Sequence, residues 1–184
     1  MQYNTDNVRI ISSAPMVSPN TLIDKLPLSE KAASGVVDAR KAIKNILYGD
    51  DKRLMVLVGP CSIHDTNAAM EYANKLLKLK EELSEDLLIV MRVYFEKPRT
   101  TVGWKGLIND PYLDESFNID KGLETARKLL VDLGELNMHV GVEYLDVLTP
   151  QYLSDLISWG AIGARTTESQ SHRELASALS CPVG

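Results

Sequence analysis

Short apolar runs alternate with longer amphipathic stretches through most of this chain, and together they predict a repeating order of strand and helix. The predicted strands are nearly continuous in apolar residues, are bounded by Gly, Asp or Asn, and cover 54–58, 87–93, 140–145 and 161–165. The predicted helices that follow them cover 66–83, 119–133, 150–158 and 171–179. Strands of this composition are typical of parallel sheets that are buried on both faces. Four units of strand then helix therefore predict an α/β fold with a parallel sheet.

Residues 1–28 are predicted to form an arm that does not belong to the repeat. The apolar segment 8–11 predicts a short strand, and Ser18 followed by Pro19 predicts the start of a helix. We expect an arm of this kind to dock on a partner subunit.

A further helix is predicted between the arm and the first strand. Apolar residues recur at helical spacing over 29–48, and Gly49 ends the pattern. Two later helices have recognisable starts, with Asp120 as the predicted N-cap of one and Thr149 as that of the other, which has Pro150 at its first position.

Composition and charge exclude several classes of protein. The chain is 45% hydrophobic and 24% charged, as expected of a soluble globular domain. The longest aliphatic run, 54–58, is far shorter than the roughly 20 residues of a membrane helix, and the polar start has no secretory h-region, so we expect a cytoplasmic location. Cys61 and Cys181 are expected to be reduced thiols. A net charge of −5 gives no reason to expect nucleic-acid binding.

Side chains that favour phosphate or metal follow three of the predicted strands, in segments 59–64, 92–100 and 163–170. The carboxyl ends of the strands in a βα-repeat fold converge on one rim, so distant segments can build one site there. The cations of these segments are predicted to form one anion-binding pocket, namely Arg92, Lys97, Arg99 and Arg165. Because the whole chain is acidic, attraction of an anion must come from such a local pocket.

The first of these segments suggests a metal ligand. Cys61 would project from a tight turn at the rim, where a thiolate can bind a divalent transition metal. The alternative is a small buried apolar residue. His64 is either a second ligand or a polar residue that caps the next helix.

The other two segments suggest anion binding by arginine. A guanidinium near the end of a buried strand needs an anion, so Arg92 either binds carboxylate or phosphate or forms a salt bridge with Glu96 or Glu143. Arg165 repeats the pattern near the start of a helix, whose free amides also favour anions. Glu143 is expected to orient a lysine, to exchange protons or to pair with Arg92.

Three segments resemble the type I 3-deoxy-D-arabino-heptulosonate-7-phosphate (DAHP) synthases. They read GPCSIHD at 59–65, YFEKPRTTVGWKG at 94–106 and WGAIGARTTESQ at 159–170. The resemblance runs from about Ala32 to Gly184 and implies a TIM (β/α)8 barrel. Residues 29–184 would be the first half of that barrel, with four βα units, and would stop at the start of a fifth strand.

The resemblance also implies a reaction and its residues. DAHP synthases are transferases that condense phosphoenolpyruvate with erythrose 4-phosphate, the first step of the shikimate and chorismate pathway for aromatic amino acids. Cys61 matches a ligand of the divalent metal, which would be Mn, Fe, Co or Zn. The predicted catalytic residues are Lys97, which matches a group that holds phosphoenolpyruvate, and Glu143, which is predicted from its position at the end of the third strand. The matched substrate-binding residues are Arg92, Lys97 and Arg165 for phosphoenolpyruvate, and Arg99 and Thr100 for erythrose 4-phosphate. Ala164, beside Arg165, is also predicted to bind substrate.

Members of the family are often feedback-inhibited by Phe, Tyr or Trp and form dimers or tetramers. We therefore expect a homo-oligomer with an allosteric pocket, although ordinary helix packing would also explain several of the matched residues. Those residues are Val147, Pro150, Gln151, Leu175, Leu179 and Ser180, with Asp6 and Asn7 reaching in from a neighbouring subunit.

Two other readings remain open from the sequence. One is a 3-deoxy-D-manno-octulosonate-8-phosphate synthase, which joins phosphoenolpyruvate to a different phosphosugar. The other is a non-catalytic half barrel that pairs with other chains through open sheet edges. Because a His, a Glu and an Asp that complete the family's metal site lie beyond Gly184 in its members, we expect the 184-residue chain alone to bind metal weakly and to be nearly inactive.

Overall fold

Four parallel strands form one sheet in the order β1-β2-β3-β4 in the computed structural model, which describes residues 3–184. They are β1 (Leu54–Val58), β2 (Leu87–Arg92), β3 (Val140–Glu143) and β4 (Trp159–Ala161). Each pairs with the next, with Leu54 opposite Leu87 and Gly141 opposite Trp159. A further parallel bridge joins Gly160 to Val183. The sheet is half of a barrel, as the family resemblance implies.

Six α-helices and one 3-10 turn are found among the same residues. They are α1 (Pro19–Lys25), α2 (Glu30–Tyr48), α3 (Thr66–Glu82), α4 (Ile119–Glu135), α5 (Pro150–Leu153), the 3-10 turn Ser154–Leu156, and α6 (Gln170–Ala178). Their starts follow from capping side chains: Ser29 accepts a hydrogen bond from the Ala32 amide, and Asp65 accepts from the two amides at 67 and 68. Gly49 ends α2 with φ of 84°, a conformation that glycine adopts without strain. None of these helices combines the length and apolar character that crossing a membrane requires.

The core lies between the sheet and helices α3 and α4. Met91 of β2 and Ala126 and Leu130 of α4 are fully buried in it. The expectation that every strand is buried on both faces is wrong for β1, where Leu54 is 67% exposed. β1 pairs with β2 alone among the described strands, so its outer side lacks the cover that a neighbouring strand would give.

One charged residue is fully buried inside this core. The Arg127 guanidinium on α4 donates to both carboxylate oxygens of Asp155 at 2.8 Å, to the Leu26 carbonyl at 2.9 Å and to the Tyr152 carbonyl at 2.7 Å. These bonds satisfy its charge and tie α4 to the end of α1 and to the region of α5.

The second half of the predicted arm packs on the chain's own helices. Leu22 of α1 is buried in the core, the Val17 amide donates to Asp120 at 2.9 Å, and the Tyr152 hydroxyl donates to the Val17 carbonyl at 2.7 Å. Met1 and Gln2, which belong to the same predicted arm, lie outside the described residues. Docking of the arm on a partner subunit stays a prediction.

Four local predictions were wrong. Segment 8–11 forms no strand and its side chains are exposed, because none of the strands in residues 3–184 pairs with it. Asn118, not Asp120, caps α4, which leaves Asp120 to bind the arm. Thr149 precedes α5 but makes no capping bond, because its hydroxyl donates to Asp146. β4 begins at Trp159 and ends at Ala161, earlier than predicted.

Candidate active site at the carboxyl ends of the strands

The segments that follow β1 and β2 are packed against each other. The Ile63 amide donates to the Tyr94 carbonyl at 2.8 Å. A Cβ on Gly59 would lie 2.6 Å from the Arg92 carbonyl oxygen, so only glycine permits this approach. The close contact brings Cys61 and the Arg92 side chain to the same place on the rim.

Cys61 and Lys97 form the central contact of this region. The Lys97 ammonium donates to the Cys61 sulfur at 2.8 Å, and the thiol is exposed. This hydrogen bond, and then the positive charges of Lys97, Arg92 and Arg99, lower the pKa of the Cys61 thiol. The alternative of a buried apolar cysteine at this position is therefore excluded, and the arrangement favours a thiolate.

Arg92 is held in place without an acidic partner. Its Nη2 donates to the Cys61 carbonyl at 3.2 Å, and its Cζ lies 3.9 Å from the centroid of the Tyr94 ring. Its Nε is buried and has no hydrogen-bond partner among residues 3–184. The salt bridges found in that part of the chain involve other cations, so the proposed pairing of Arg92 with Glu96 or Glu143 does not form.

Next to this cluster lies a cavity of about 350 Å³ at the ends of β3 and β4. Glu143, the last residue of β3, lines it together with Pro98 and Arg165. A Cβ on Gly163 would lie 2.3 Å from a Glu143 carboxylate oxygen, so this glycine leaves room for the carboxylate. The remaining lining residues are Leu145, Gly163, Ala164 and Thr166.

The Lys97–Arg99 segment connects the two parts of the site. Lys97 contacts Cys61, Pro98 lines the cavity, and Arg99 lies close enough to Cys61 to lower the pKa of its thiol. Arg99 and Thr100 are both exposed. Of the four predicted cations, Arg92, Lys97 and Arg99 therefore surround the thiol, and Arg165 lines the adjoining cavity.

The described residues provide one clear candidate ligand for a metal. Cys61 has the thiolate character and exposure that a transition metal needs. His64 is exposed, and its ring stands edge-on to Trp104 at 6.5 Å between centroids. Asp65, rather than His64, caps α3. No group of three or more His, Cys, Asp or Glu side chains able to hold a metal is found among residues 3–184, so Cys61 alone does not make a complete site.

The residues matched to an allosteric pocket lie mainly around α5 and α6. Pro150 is buried and Gln151 exposed on α5, while Leu175 and Leu179 pack against the core at α6. Val147 and Ser180 are exposed. Asp6 and Asn7 are exposed in the arm, where the Asn7 amide donates to Asp6 at 2.9 Å. Their role stays a prediction.

Glu96 and Asp146 form a carboxyl pair that the sequence analysis did not identify. Glu96 is 7% exposed, and its carboxyl lies close enough to that of Asp146, in the turn that follows β3, for the two to interact. Burial first, and then the charge of Asp146, raise the pKa of Glu96 to about 8. A charged residue directly after Tyr94 and Phe95, both of them buried, was the available signal.

Comparison with known proteins gives consistent matches. Residues 25–184 match the model of the DAHP synthetase I family. The chain is 62% identical to a Phe-sensitive phospho-2-dehydro-3-deoxyheptonate aldolase from Escherichia coli K12, over all of this chain and 53% of that protein. It is 56% identical to the Trp-sensitive enzyme of the same strain, over 98% of this chain and 52% of that protein.

A solved structure agrees with the fold. The phospho-2-dehydro-3-deoxyheptonate aldolase from Francisella tularensis SCHU S4 superposes with a TM-score of 0.93 and 55% identity. The match covers 95% of this chain and 51% of that one. The chain thus spans about half the length of the relatives it matches.

Proposed function

The chain belongs to the DAHP synthetase I family, and from that premise we propose that it takes part in the condensation of phosphoenolpyruvate with erythrose 4-phosphate. The observation that carries the proposal is the gathering of Arg92, Lys97 and Arg99 around Cys61 with no carboxylate paired to them among residues 3–184. A cluster of cations that lack carboxylate partners, beside a cavity, favours the binding of an anion. The products would be DAHP and inorganic phosphate.

Each cation has a distinct part in this proposal. Arg92 and Lys97 would hold the carboxylate and phosphate of phosphoenolpyruvate, and the partnerless Nε of Arg92 is available as a donor. Arg165 would hold the same substrate from the cavity side, beside Ala164, and Arg99 and Thr100 would bind the phosphate of the sugar. Positive charge of this density offsets the repulsion between two polyanionic reactants and keeps their reacting carbons close together.

The proposed reaction needs a proton-exchanging group at the cavity. C3 of phosphoenolpyruvate forms a bond with the aldehyde carbon of the sugar, whose oxygen gains a proton and becomes a hydroxyl. Water adds to the resulting cationic C2 and loses one proton, which leaves a hydroxyl on C2. The bond between C2 and the phosphate oxygen then breaks, the hydroxyl gives its proton to the leaving phosphate, and C2 becomes the ketone carbon. Glu143 faces the cavity and would accept the proton of that water, while Lys97 would stabilise the negative charge of the phosphate.

A divalent metal is part of the proposal, with Cys61 as one of its ligands. Bound there, it would supply Lewis-acid polarisation of the aldehyde. Since residues 3–184 bring together no three-ligand group, we expect the 184-residue chain alone to bind metal weakly and to turn over slowly. Feedback inhibition by an aromatic amino acid is proposed from the names of the Phe- and Trp-sensitive relatives.

Titration of phosphoenolpyruvate into the purified chain, followed by calorimetry, tests the anion site. Arg92→Ala and Lys97→Gln should each weaken binding, because a charge-assisted contact contributes about 1.5–3 kcal/mol, or roughly 10–150-fold in affinity. Lys44→Gln is the matched control, since Lys44 is an exposed cation on α2. Equal affinity in all four proteins would refute the site. Phosphate release should also be faster with erythrose 4-phosphate than with arabinose 5-phosphate, and the reverse order would favour the octulosonate enzyme.

A further inference from the structure

We propose that His172 is a positioning residue for Arg165. Its ring ties the first turn of α6 to the turn after β3, and so holds residues 163–168, here called the Arg165 segment, beside the cavity. The inference deepens the proposed function, on which its meaning for phosphoenolpyruvate binding rests. It is carried by the burial of the ring, by the partners of its two nitrogens and by the contacts of the Arg165 segment.

His172 is buried at the start of α6, with 9% of its surface exposed. Among the residues of that helix, Gln170–Ala178, it alone is buried. A buried imidazole needs hydrogen-bond partners for both ring nitrogens. Nε2 lies 3.1 Å from the Leu145 carbonyl oxygen, and Nδ1 lies 2.9 Å from the Ser169 hydroxyl oxygen. The ring is therefore fully paired between two different elements.

The partners assign a role to each nitrogen. A carbonyl oxygen only accepts, so Nε2 is the donor in the bond to Leu145. The Ser169 hydroxyl, which caps α6, already accepts from the His172 amide at 3.5 Å, and its own proton is available to Nδ1. One side chain thus joins the cap of α6 to the turn after β3.

The Arg165 segment is bonded mainly to itself. The Thr166 amide and hydroxyl donate to the carbonyl of residue 163 at 2.9 and 3.0 Å, and the Thr167 hydroxyl donates to that of residue 164 at 3.0 Å. The Ser169 amide donates to the Thr166 carbonyl at 3.0 Å, so the segment moves with the cap of α6. That cap is the point that His172 holds.

The other end of the tie lies at the cavity. Leu145 lines this cavity together with Glu143 and Arg165. The Tyr144 amide donates to the Ala161 carbonyl at 2.9 Å, which fixes the turn after β3 on the sheet. The Arg165 side chain is exposed and forms no salt bridge within residues 3–184, so its place depends on its backbone. A backbone that is held before an anion arrives lowers the entropy cost of binding.

Three substitutions of His172 separate its bond to Leu145 from its contact with Ser169. In His172→Gln, the side-chain amide takes the place of Nε2 and keeps a donor to Leu145. In His172→Asn, the shorter amide takes the place of Nδ1 and reaches Ser169 alone. His172→Leu keeps neither. Ser171→Ala, an exposed position of the same helical turn, is the matched control.

Hydrogen–deuterium exchange with mass spectrometry measures how often residues 163–169 open in the purified chain. Exchange there should be about 3–10-fold faster in His172→Asn and His172→Leu than in the wild type, which is the effect of losing one hydrogen bond. His172→Gln and Ser171→Ala should exchange as the wild type does. Peptides from α4 report on any loss of stability in the whole fold.

Three results would overturn the proposal. The first is equal exchange of residues 163–169 in all five proteins. The second is fast exchange in His172→Gln with slow exchange in His172→Asn, which would show that His172 only supports the cap at Ser169. The third is an increase in the α4 peptides as large as that at 163–169, which would show a general effect on folding. If His172→Leu does not fold, the comparison of His172→Gln with His172→Asn decides by the same criteria.

Calorimetric titration of phosphoenolpyruvate tests the step from the segment to the substrate. The affinity should fall about 3–10-fold in His172→Asn and return to the wild-type value in His172→Gln. In an Arg165→Ala background, His172→Asn should change the affinity by less than about twofold, because the residue that it positions is gone. An equal loss in both backgrounds would overturn the role of Arg165.

The exchange measurement uses no substrate, so its outcome does not depend on the proposed function. If the wild type fails to bind phosphoenolpyruvate but the exchange rates follow expectation, the proposed function is refuted and the positioning of the Arg165 segment by His172 stands. If phosphoenolpyruvate binds and the exchange rates are equal in all variants, the positioning is refuted and the proposed function stands.

Discussion

Replacing Glu96 by Gln should make the free energy of unfolding less dependent on pH between about 5 and 8. Burial and the neighbouring Asp146 raise the pKa of Glu96 to about 8 in the folded chain, whereas its ordinary value is 4.5. Across this window the folded state binds one proton more than the unfolded state. The free energy of unfolding therefore falls as the pH rises, and the contribution of Glu96 is largest below about pH 4.5.

The size of the effect follows from the difference between the two pKa values. A pKa difference of one unit is worth about 1.4 kcal/mol, so the slope from Glu96 reaches about 1.4 kcal/mol per pH unit. Over the full window the loss is on the order of 5 kcal/mol, which is as large as the whole stability of many domains. Relative to Glu96→Gln, we expect the wild type to lose at least about 2 kcal/mol between pH 5 and pH 8.

Urea denaturation followed by circular dichroism at pH 5, 6, 7 and 8 measures this difference. Other groups also titrate, but subtracting the Glu96→Gln curve from the wild-type curve removes their contributions as long as the m-values agree. Glu82→Gln, at the exposed end of α3, is the matched control and should give a curve parallel to the wild type. Parallel curves for the wild type and Glu96→Gln would refute the reasoning about the buried carboxyl pair.

Three further changes test other parts of the fold, each by urea denaturation. Arg127→Met should lower the free energy of unfolding by about 3–5 kcal/mol at pH 7, since it leaves Asp155 and the carbonyls of Leu26 and Tyr152 without their donor. A loss under about 1 kcal/mol would contradict this. Burial is the main cause that lowers the pKa of His139 to about 4, so the free energy of unfolding should fall as the pH drops from about 6.5 to 4. His139→Gln should remove that pH dependence, and an unchanged dependence would show that other groups cause it. Gly122→Ala should cost about 2–3 kcal/mol, because the new Cβ would lie 2.0 Å from the Ile108 carbonyl oxygen; wild-type stability would mean that α4 moves freely.

The alternation of strand and helix was predictable because it depends on local patterns. The observed bounds of β1 are the predicted ones, and α3 differs from its predicted range by one residue. β4 was placed too late because 159–165 is apolar almost throughout, so the sequence contains no boundary. Its position is set instead by pairing with β3, where Gly141 lies opposite Trp159. The apolar segment 8–11 also predicts a strand from local pattern alone, yet a strand needs a partner and no described strand lies beside it.

The candidate site was predictable in its residue types but not in its contacts. That cations follow β2 and β4 is visible in the sequence, and the topology brings them to one rim. That Lys97 reaches Cys61 depends on the path of two loops, which no local pattern determines. The Glu96 and Asp146 pair is harder still to predict from the sequence, because each carboxylate taken alone would be expected at the surface.

The same loop paths explain why the site favours anions. Arg92, Lys97 and Arg99 lie close enough together to act on one thiol, and like charges at such distances repel each other. The buried Glu96 carboxyl lies directly beside Lys97 in sequence but points away from it and holds its proton, so it does not neutralise the cluster. Even when ionised, the Cys61 thiol would balance only one of the three charges. A bound phosphate or carboxylate would balance the rest, and the buried Nε of Arg92, which has no partner among residues 3–184, is a donor still available to it.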